Sequence, residues 1–150
     1  MESGESVKRP HERLDVWRDA MRLVEAVYRY SHQFPDTERF ALTQQMRRSA
    51  ISIPSNIAEG AARRSRAEYL RFLSIARGSL SELDTQLQIA ERLGYGQRES
   101  GLITGIDRTF ARLTALMNAL SRQASPPDSV SSRETPPPHS LLPIPHSHDR

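Results

Sequence analysis

The sequence predicts an all-α protein: an antiparallel up-down-up-down four-helix bundle followed by a disordered C-terminal tail. Three observations predict it. Four stretches carry apolar residues at alternating steps of three and four, the period of a helix that buries one face. The connections between them are short, which favours antiparallel neighbours. Past Ala124 the composition changes to Pro126, Pro127, Pro136, Pro137, Pro138, Pro143 and Pro145 among serines and histidines, too little apolar surface to offset the entropy of ordering.

The first helix is expected from about Leu14 to Gln33. Val16, Ala20, Leu23, Val27 and Tyr30 form its stripe, widened by Trp17, Val24 and Tyr28. Pro35 ends it, because proline disfavours the helical region in the residue before it. The second is expected to start after Pro35, with Asp36 as N-cap and Glu38 in the first turn. Its apolar face reads Phe40, Leu42, Met46, Ala50, Ile53 and Ile57. Pro54 lies inside this pattern at a cost of roughly 3 kcal/mol in an isolated helix. The stripe resumes at Ile57, so the reading is a kink, with Ser49, Ser52 and Ser55 available to the freed backbone groups. Gly60 ends the helix or loosens it.

The third helix opens on Ser65-Arg66-Ala67-Glu68, a capping-box pattern. Tyr69, Leu73, Ala76, Leu80, Leu83, Leu87 and Ala90 follow in register, and Gly94 is the stop. The fourth runs from about Gln97 to Arg122 with a seam of Ile103, Ile106, Phe110, Leu113, Met117 and Leu120. Gly101 and Gly105 weaken its start, each by about 1 kcal/mol relative to alanine. The domain reading is a flexible N-terminus at 1–12, a bundle at 13–123 and the tail at 124–150.

With 150 residues there is room for one domain. The chain has no cysteine, which removes disulfides, thiolate metal sites and cysteine nucleophiles. The N-terminus lacks an apolar signal region, and no apolar run reaches the ~20 residues that span a bilayer. The expected setting is the cytoplasm, with no membrane partner. The net charge is +3 and the pI about 9.8. Between Arg9 and Arg122, 18 arginines meet 13 acids, so the basic excess belongs to the bundle. Lysine occurs once and arginine twenty times, a skew that base composition alone can produce.

The residues of the second and third helices resemble a known family. The run Leu42-Thr43-Gln44-Gln45-Met46-Arg47-Arg48-Ser49-Ala50-Ile51-Ser52-Ile53-Pro54-Ser55-Asn56-Ile57-Ala58-Glu59-Gly60 is similar to that of the bacterial 23S rRNA intervening-sequence proteins. So is Tyr69 to Tyr95, with Ile75-Ala76-Arg77-Gly78-Ser79-Leu80 and its Leu93-Gly94-Tyr95 ending. Val16-Trp17, Tyr28 and Phe34-Pro35 of the first helix also resemble the family, and the likeness covers roughly Leu14 to Met117. It implies a four-helix bundle that assembles as a homopentamer. It implies little about activity. A related branch, the accessory variability protein of diversity-generating retroelements, implies a basic pentamer that engages a reverse transcriptase and nucleic acid.

Enzymatic constellations are not apparent. A di-iron bundle needs two Glu-x-x-His motifs on facing helices, and the sequence has none. A helical ribonuclease of the arginine-spacer-histidine type needs a helix-borne histidine; helices three and four have none, and His32 follows Arg29 too closely. Gly94-Tyr95-Gly96 reads as a helix stop rather than a phosphate loop. The tail histidines His139, His146 and His148 lack an ordered shell to orient them for a metal. The expectation is a protein without enzymatic activity, cofactor or metal.

The kink motif Pro54, Asn56, Glu59 and Gly60 has two readings. One is a polar site. The simpler one makes Asn56 a partner for backbone freed by Pro54 and Glu59 an ion-pair partner of Arg63. Arg47 and Arg48 on helix two, with Arg63, Arg64 and Arg66 at the next turn and Arg71 and Arg77 beyond, are the candidate RNA- or DNA-binding residues, contacting phosphate by charge. The competing reading is a solvated face paired with neighbouring acids. Phe72, Ile75 and Ile89 are the candidate oligomer interface: the two isoleucines lie nearly opposite the Leu73–Leu87 seam, and two on one outer stripe suggest a second buried surface. The sequence thus supports a homo-oligomeric interaction protein that binds RNA or DNA. The alternative is a scaffold or accessory subunit for a protein such as a reverse transcriptase.

Overall fold

A computed structural model describes residues 8–124 of the chain. The start of the expected flexible N-terminus and the expected tail, with its histidines, lie outside the described residues. Four helices follow in order: α1 (Asp15–Ser31), α2 (Leu42–Ala61), α3 (Arg66–Arg92) and α4 (Ser100–Ala124). Short 3-10 turns at Pro10–Arg13 and Asp36–Glu38 precede α1 and α2. There is no strand among the described residues.

The helices form an antiparallel up-down-up-down bundle in which each packs on its two sequence neighbours and α4 closes back onto α1. Cross-links fix the directions. Ser52 meets Ser79 and Gly60 meets Tyr69 and Phe72, so α2 and α3 run oppositely. Asp19 meets Arg112 while Tyr30 meets Gly96, so α1 and α4 do too. The interior is the predicted one for α1 to α3: Val16, Ala20, Leu23, Val27, Met46, Ala50, Ile53, Ile57, Leu73, Ala76, Leu80, Leu83, Leu87 and Ala90 are all buried. Short connections leave these stripes no other way to leave water.

α2 passes through Pro54 without a break. Ser55 Oγ donates to Ile51 O at 2.7 Å, and Asn56 Nδ2 donates to Ser52 O at 2.8 Å. These side chains supply hydrogen bonds along the turn that the proline ring disturbs. Glu59 pairs with Arg63 at 2.8 Å. Gly60 stands one residue before the end of α2 at Ala61, as the sequence allows, and it has a packing role besides. It is buried inside α2, and a Cβ there would lie 2.9 Å from Phe72 Cβ and from Tyr69 Cδ2. The missing side chain lets α3 approach, beside a Ser52 Oγ–Ser79 Oγ hydrogen bond of 2.8 Å.

Several sequence expectations change. α2 begins at Leu42, not after Pro35, and Asp36 caps nothing. The Leu42 N–H donates instead to Glu38 Oε2 at 3.2 Å. Phe40 therefore leaves the apolar face and stands 81% exposed, and Tyr28 leaves the core of α1 for the surface. In α3, Ser65 Oγ accepts from Glu68 N at 3.1 Å, the serine half of the capping box. Gly94 is the expected stop, with φ of 79°. Tyr95 N–H donates to Ala90 O and Gly94 N–H to Glu91 O, the paired bonds of a Schellman ending. α4 starts at Ser100 and is rotated from its expected face. Leu102 is buried where Ile103 was expected, and Thr109 joins Ile106 and Leu113 inside. Thr109 tolerates burial because its Oγ1 donates to Gly105 O at 2.7 Å.

Ion pairs tie α4 and the segment before it to the bundle. The buried Asp19 carboxylate takes Arg112 at 2.5 Å and Arg22 at 3.4 Å. Arg98 pairs with Asp84 at 2.9 Å and also with Glu91.

Candidate nucleic-acid interface

The seven candidate arginines do not form one patch. They divide between the two ends of α2, about 22 Å apart at 1.5 Å of rise per residue, with Arg77 half-buried further along α3.

At the α2–α3 turn, Arg63 is held by Glu59 and its guanidinium lies 4.9 Å from the Phe72 ring. Arg71 approaches the same ring at 5.5 Å. Phe72 is thus occupied within its own chain, against Gly60 on one side and two guanidinium groups on the other. Arg64 and Arg66 are exposed and have no acidic partner among the described residues.

At the other end the geometry is more organised. Phe34 follows α1 and is buried, edge-on to Tyr30 at 5.2 Å and beside Tyr95 at 5.3 Å. Tyr95 OH donates to Glu38 Oε1 at 2.9 Å, while Glu38 Oε2 caps Leu42. The hydrogen bond to the Glu38 carboxylate, more than desolvation or the nearby Glu38 charge, raises the Tyr95 phenol pKa above its ordinary value. The connection is pinned at Phe34 and at Glu38, and the next residues must turn outward. Arg39 and Phe40 therefore project beside Tyr28, Arg47, Arg48 and Ile51, around a groove of about 390 Å³. Arg47 is fixed: its Nε donates to Ser31 Oγ at 2.9 Å and its guanidinium lies 4.4 Å from the Tyr28 ring. Arg39 lies 5.4 Å from the Phe40 ring. No Asp or Glu lines the groove, and Arg39, Arg47 and Arg48 make no ion pair among the described residues.

The sequence reading found Arg47 and Arg48 here and missed Tyr28, Arg39 and Phe40. Helical periodicity placed both aromatics inside. The available signal was the Phe34-Pro35 pair, which ends one helix early enough to leave a surface segment before the next.

A larger cleft of about 730 Å³ separates α1 from the start of α4, with Arg22, Arg29 and Arg108 around it. Gly101 and Gly105 leave it open: a Cβ at Gly101 would meet nothing within 4 Å, and one at Gly105 only Leu23 Cδ1 at 3.8 Å. Among the described residues no three His, Asp or Glu side chains gather as a metal site, and no helix is long and apolar enough to cross a membrane.

Of the interface residues expected from the sequence, Ile75 and Ile89 stand on the outer face of α3, 41% and 43% exposed, and Leu93 extends the stripe at 54%. Gly78 lies between them with nothing within 4 Å of its would-be Cβ.

A sequence model of the family described as 23S rRNA-intervening sequence protein matches residues 12–115. The match takes in α1, α2, α3 and the first two-thirds of α4. No curated protein matches the chain.

Proposed function

The chain belongs to the 23S rRNA-intervening sequence protein family, and from that premise we propose that it is a non-enzymatic, homo-oligomeric interaction protein that binds RNA or DNA through its arginine-rich surface. The family description names no enzymatic activity. One observation carries the binding reading. Arg39, Arg47, Arg48, Arg64, Arg66 and Arg71 gather at the two ends of α2 with no acidic partner among the described residues; Arg18, Arg22, Arg63, Arg98 and Arg112 are paired, and the other unpaired arginines, Arg9, Arg13, Arg29, Arg77, Arg92, Arg108 and Arg122, lie elsewhere in the sequence. Unpaired guanidinium groups are suited to bidentate contact with phosphate.

Assembly strengthens this reading. The apolar outer stripe of α3 offers a surface between subunits, and a pentameric ring repeats each small basic group around an axis. Weak phosphate contacts then act together.

The test is binding of the full chain to generic RNA and DNA across a salt series. Binding that weakens steeply between about 50 and 200 mM salt, with a linear log–log slope, is the expected outcome. No binding at the low-salt end overturns the reading in favour of a protein–protein scaffold or an accessory subunit, for instance of a reverse transcriptase, which a pull-down with that partner tests directly.

A further inference from the structure

We propose that the groove between the end of α1 and the start of α2 is a base-stacking site for single-stranded nucleic acid, with Phe40 as the principal platform and Arg39, Arg47 and Arg48 as the phosphate contacts. The inference rests on the nucleic-acid reading above and names where, and in what form, the strand is held.

Phosphate attraction alone needs only cations. This groove has more. Phe40 is 81% exposed, a large aromatic surface left in water at a place the fold itself fixes, because Phe34 and Glu38 anchor the chain on its N-terminal side and Leu42 opens the helix on the other. Tyr28 is the second exposed ring at the groove. Each ring carries one guanidinium at cation–π distance, Arg39 at Phe40 and Arg47 at Tyr28. Arg47 is also anchored through Ser31, so its charge is positioned before any ligand arrives. Aromatic rings interleaved with arginines along a groove are the chemistry that binds unpaired strands: bases stack on the rings, and the backbone follows the charge.

Charge complementarity selects a polyanion, since three arginines and no acid line the groove. The rings select among polyanions. In a duplex the faces of the bases are stacked on one another and the grooves present only edges, so a surface ring finds nothing to stack on. An acidic polypeptide offers carboxylates without planar bases, and Phe40 would add little to its binding.

The experiment compares a short labelled poly(U) RNA, an RNA duplex of equal length and poly-glutamate as ligands, at about 50 mM salt and above. The proteins are the full chain and its variants Phe40→Ala, Phe40→Trp, Arg39→Ala/Arg48→Ala and Arg64→Ala/Arg66→Ala. Far-UV circular dichroism monitors the fold, which an exposed residue outside the helices leaves intact. Phe40→Ala is expected to weaken single-strand binding about tenfold, the scale of one lost stacked base. It should leave duplex binding and the salt slope unchanged, because phenylalanine carries no charge. Phe40→Trp keeps a stacking face and should bind at least as tightly as the parent. Arg39→Ala/Arg48→Ala should flatten the salt slope more than Arg64→Ala/Arg66→Ala. If Phe40→Ala binds poly(U) like the parent, the groove is not the site, while the wider nucleic-acid reading stands. If the parent binds neither RNA at low salt, both fall. Equal losses for poly(U) and poly-glutamate on Phe40→Ala would assign the groove to an acidic protein and overturn the proposal.

Discussion

Gly60 shows how much of this bundle depends on one absent side chain. A Cβ at that position would stand 2.9 Å from Phe72 Cβ, which is rigidly tied to the α3 backbone, and 3.2 Å from the Tyr69 carbonyl oxygen. Neither can swing aside, so the helices themselves must part. Gly60→Ala is therefore expected to destabilise by about 1–3 kcal/mol, the usual cost of overpacking, against a gain in helix propensity of no more than about 1 kcal/mol. Gly101 is the opposite case. Its would-be Cβ meets nothing within 4 Å, so only propensity acts, and Gly101→Ala should stabilise by up to about 1 kcal/mol. Urea unfolding decides both through the midpoint, with the slope unchanged. Equal signs at the two sites would mean that the α2–α3 contact is not the constraint inferred here.

The connections between elements carry chemistry of their own. Two tyrosines tie the α3–α4 connection to the first half of the chain: Tyr30 OH, from the last turn of α1, donates to Gly96 O at 2.6 Å, and Tyr95 OH donates to Glu38 Oε1 in the α1–α2 connection at 2.9 Å. Both phenols have raised pKa values, Tyr30 chiefly through burial and then the nearby Glu91 charge, Tyr95 chiefly through its bond to Glu38. A raised folded value means that the neutral phenol is the form the fold favours. Its contribution is complete below the unfolded value near 10.0 and is lost as pH rises through the higher folded value. Urea midpoints measured from pH 7 to 11 should stay level on this account up to about pH 9 and then fall. Tyr30→Phe/Tyr95→Phe should fall less steeply, and Tyr30→Phe alone should cost about 1 kcal/mol at neutral pH for the lost hydrogen bond. An identical alkaline decline in parent and double variant would refute the assignment. These connections also explain which boundaries were legible in the sequence. Ser65 and Gly94 act within a few residues of themselves, and both were read correctly. The start of α2 was misplaced because Glu38 is positioned by Tyr95, 57 residues away. The rotation of α4 was hidden by adjacent Leu102 and Ile103, either of which fits the period, and by Thr109, whose hydroxyl is satisfied inside its own helix.

At the scale of the whole molecule, the helical interior was legible because burying an apolar stripe is a local pattern, while the candidate surface was legible only in part. The arginines could be counted, but their division between two ends of α2 follows from where that helix starts and stops. The exposure of Phe40 follows from anchors contributed by two other segments. On the outer face of α3, Ile75 and Ile89 were legible only as two isolated apolar residues lying nearly opposite the inner stripe, with Gly78, Ser79 and Glu82 between them. Ile75 and Ile89 stand on the outward side of α3 at 41% and 43% exposure, so glutamate at both positions should leave a lone subunit folded, at about 1 kcal/mol per site for the part of each isoleucine that is covered. In the proposed oligomer the same carboxylates would be desolvated without partners, a far larger cost. Ile75→Glu/Ile89→Glu is thus expected to give a folded monomer by light scattering from a parent that is oligomeric. The variant keeps every arginine, but it should also bind RNA more weakly, since its basic groups no longer act together. An oligomer of unchanged size would remove the stripe as the contact. A monomer with undiminished RNA affinity would show that a single subunit suffices for binding and that assembly serves another purpose.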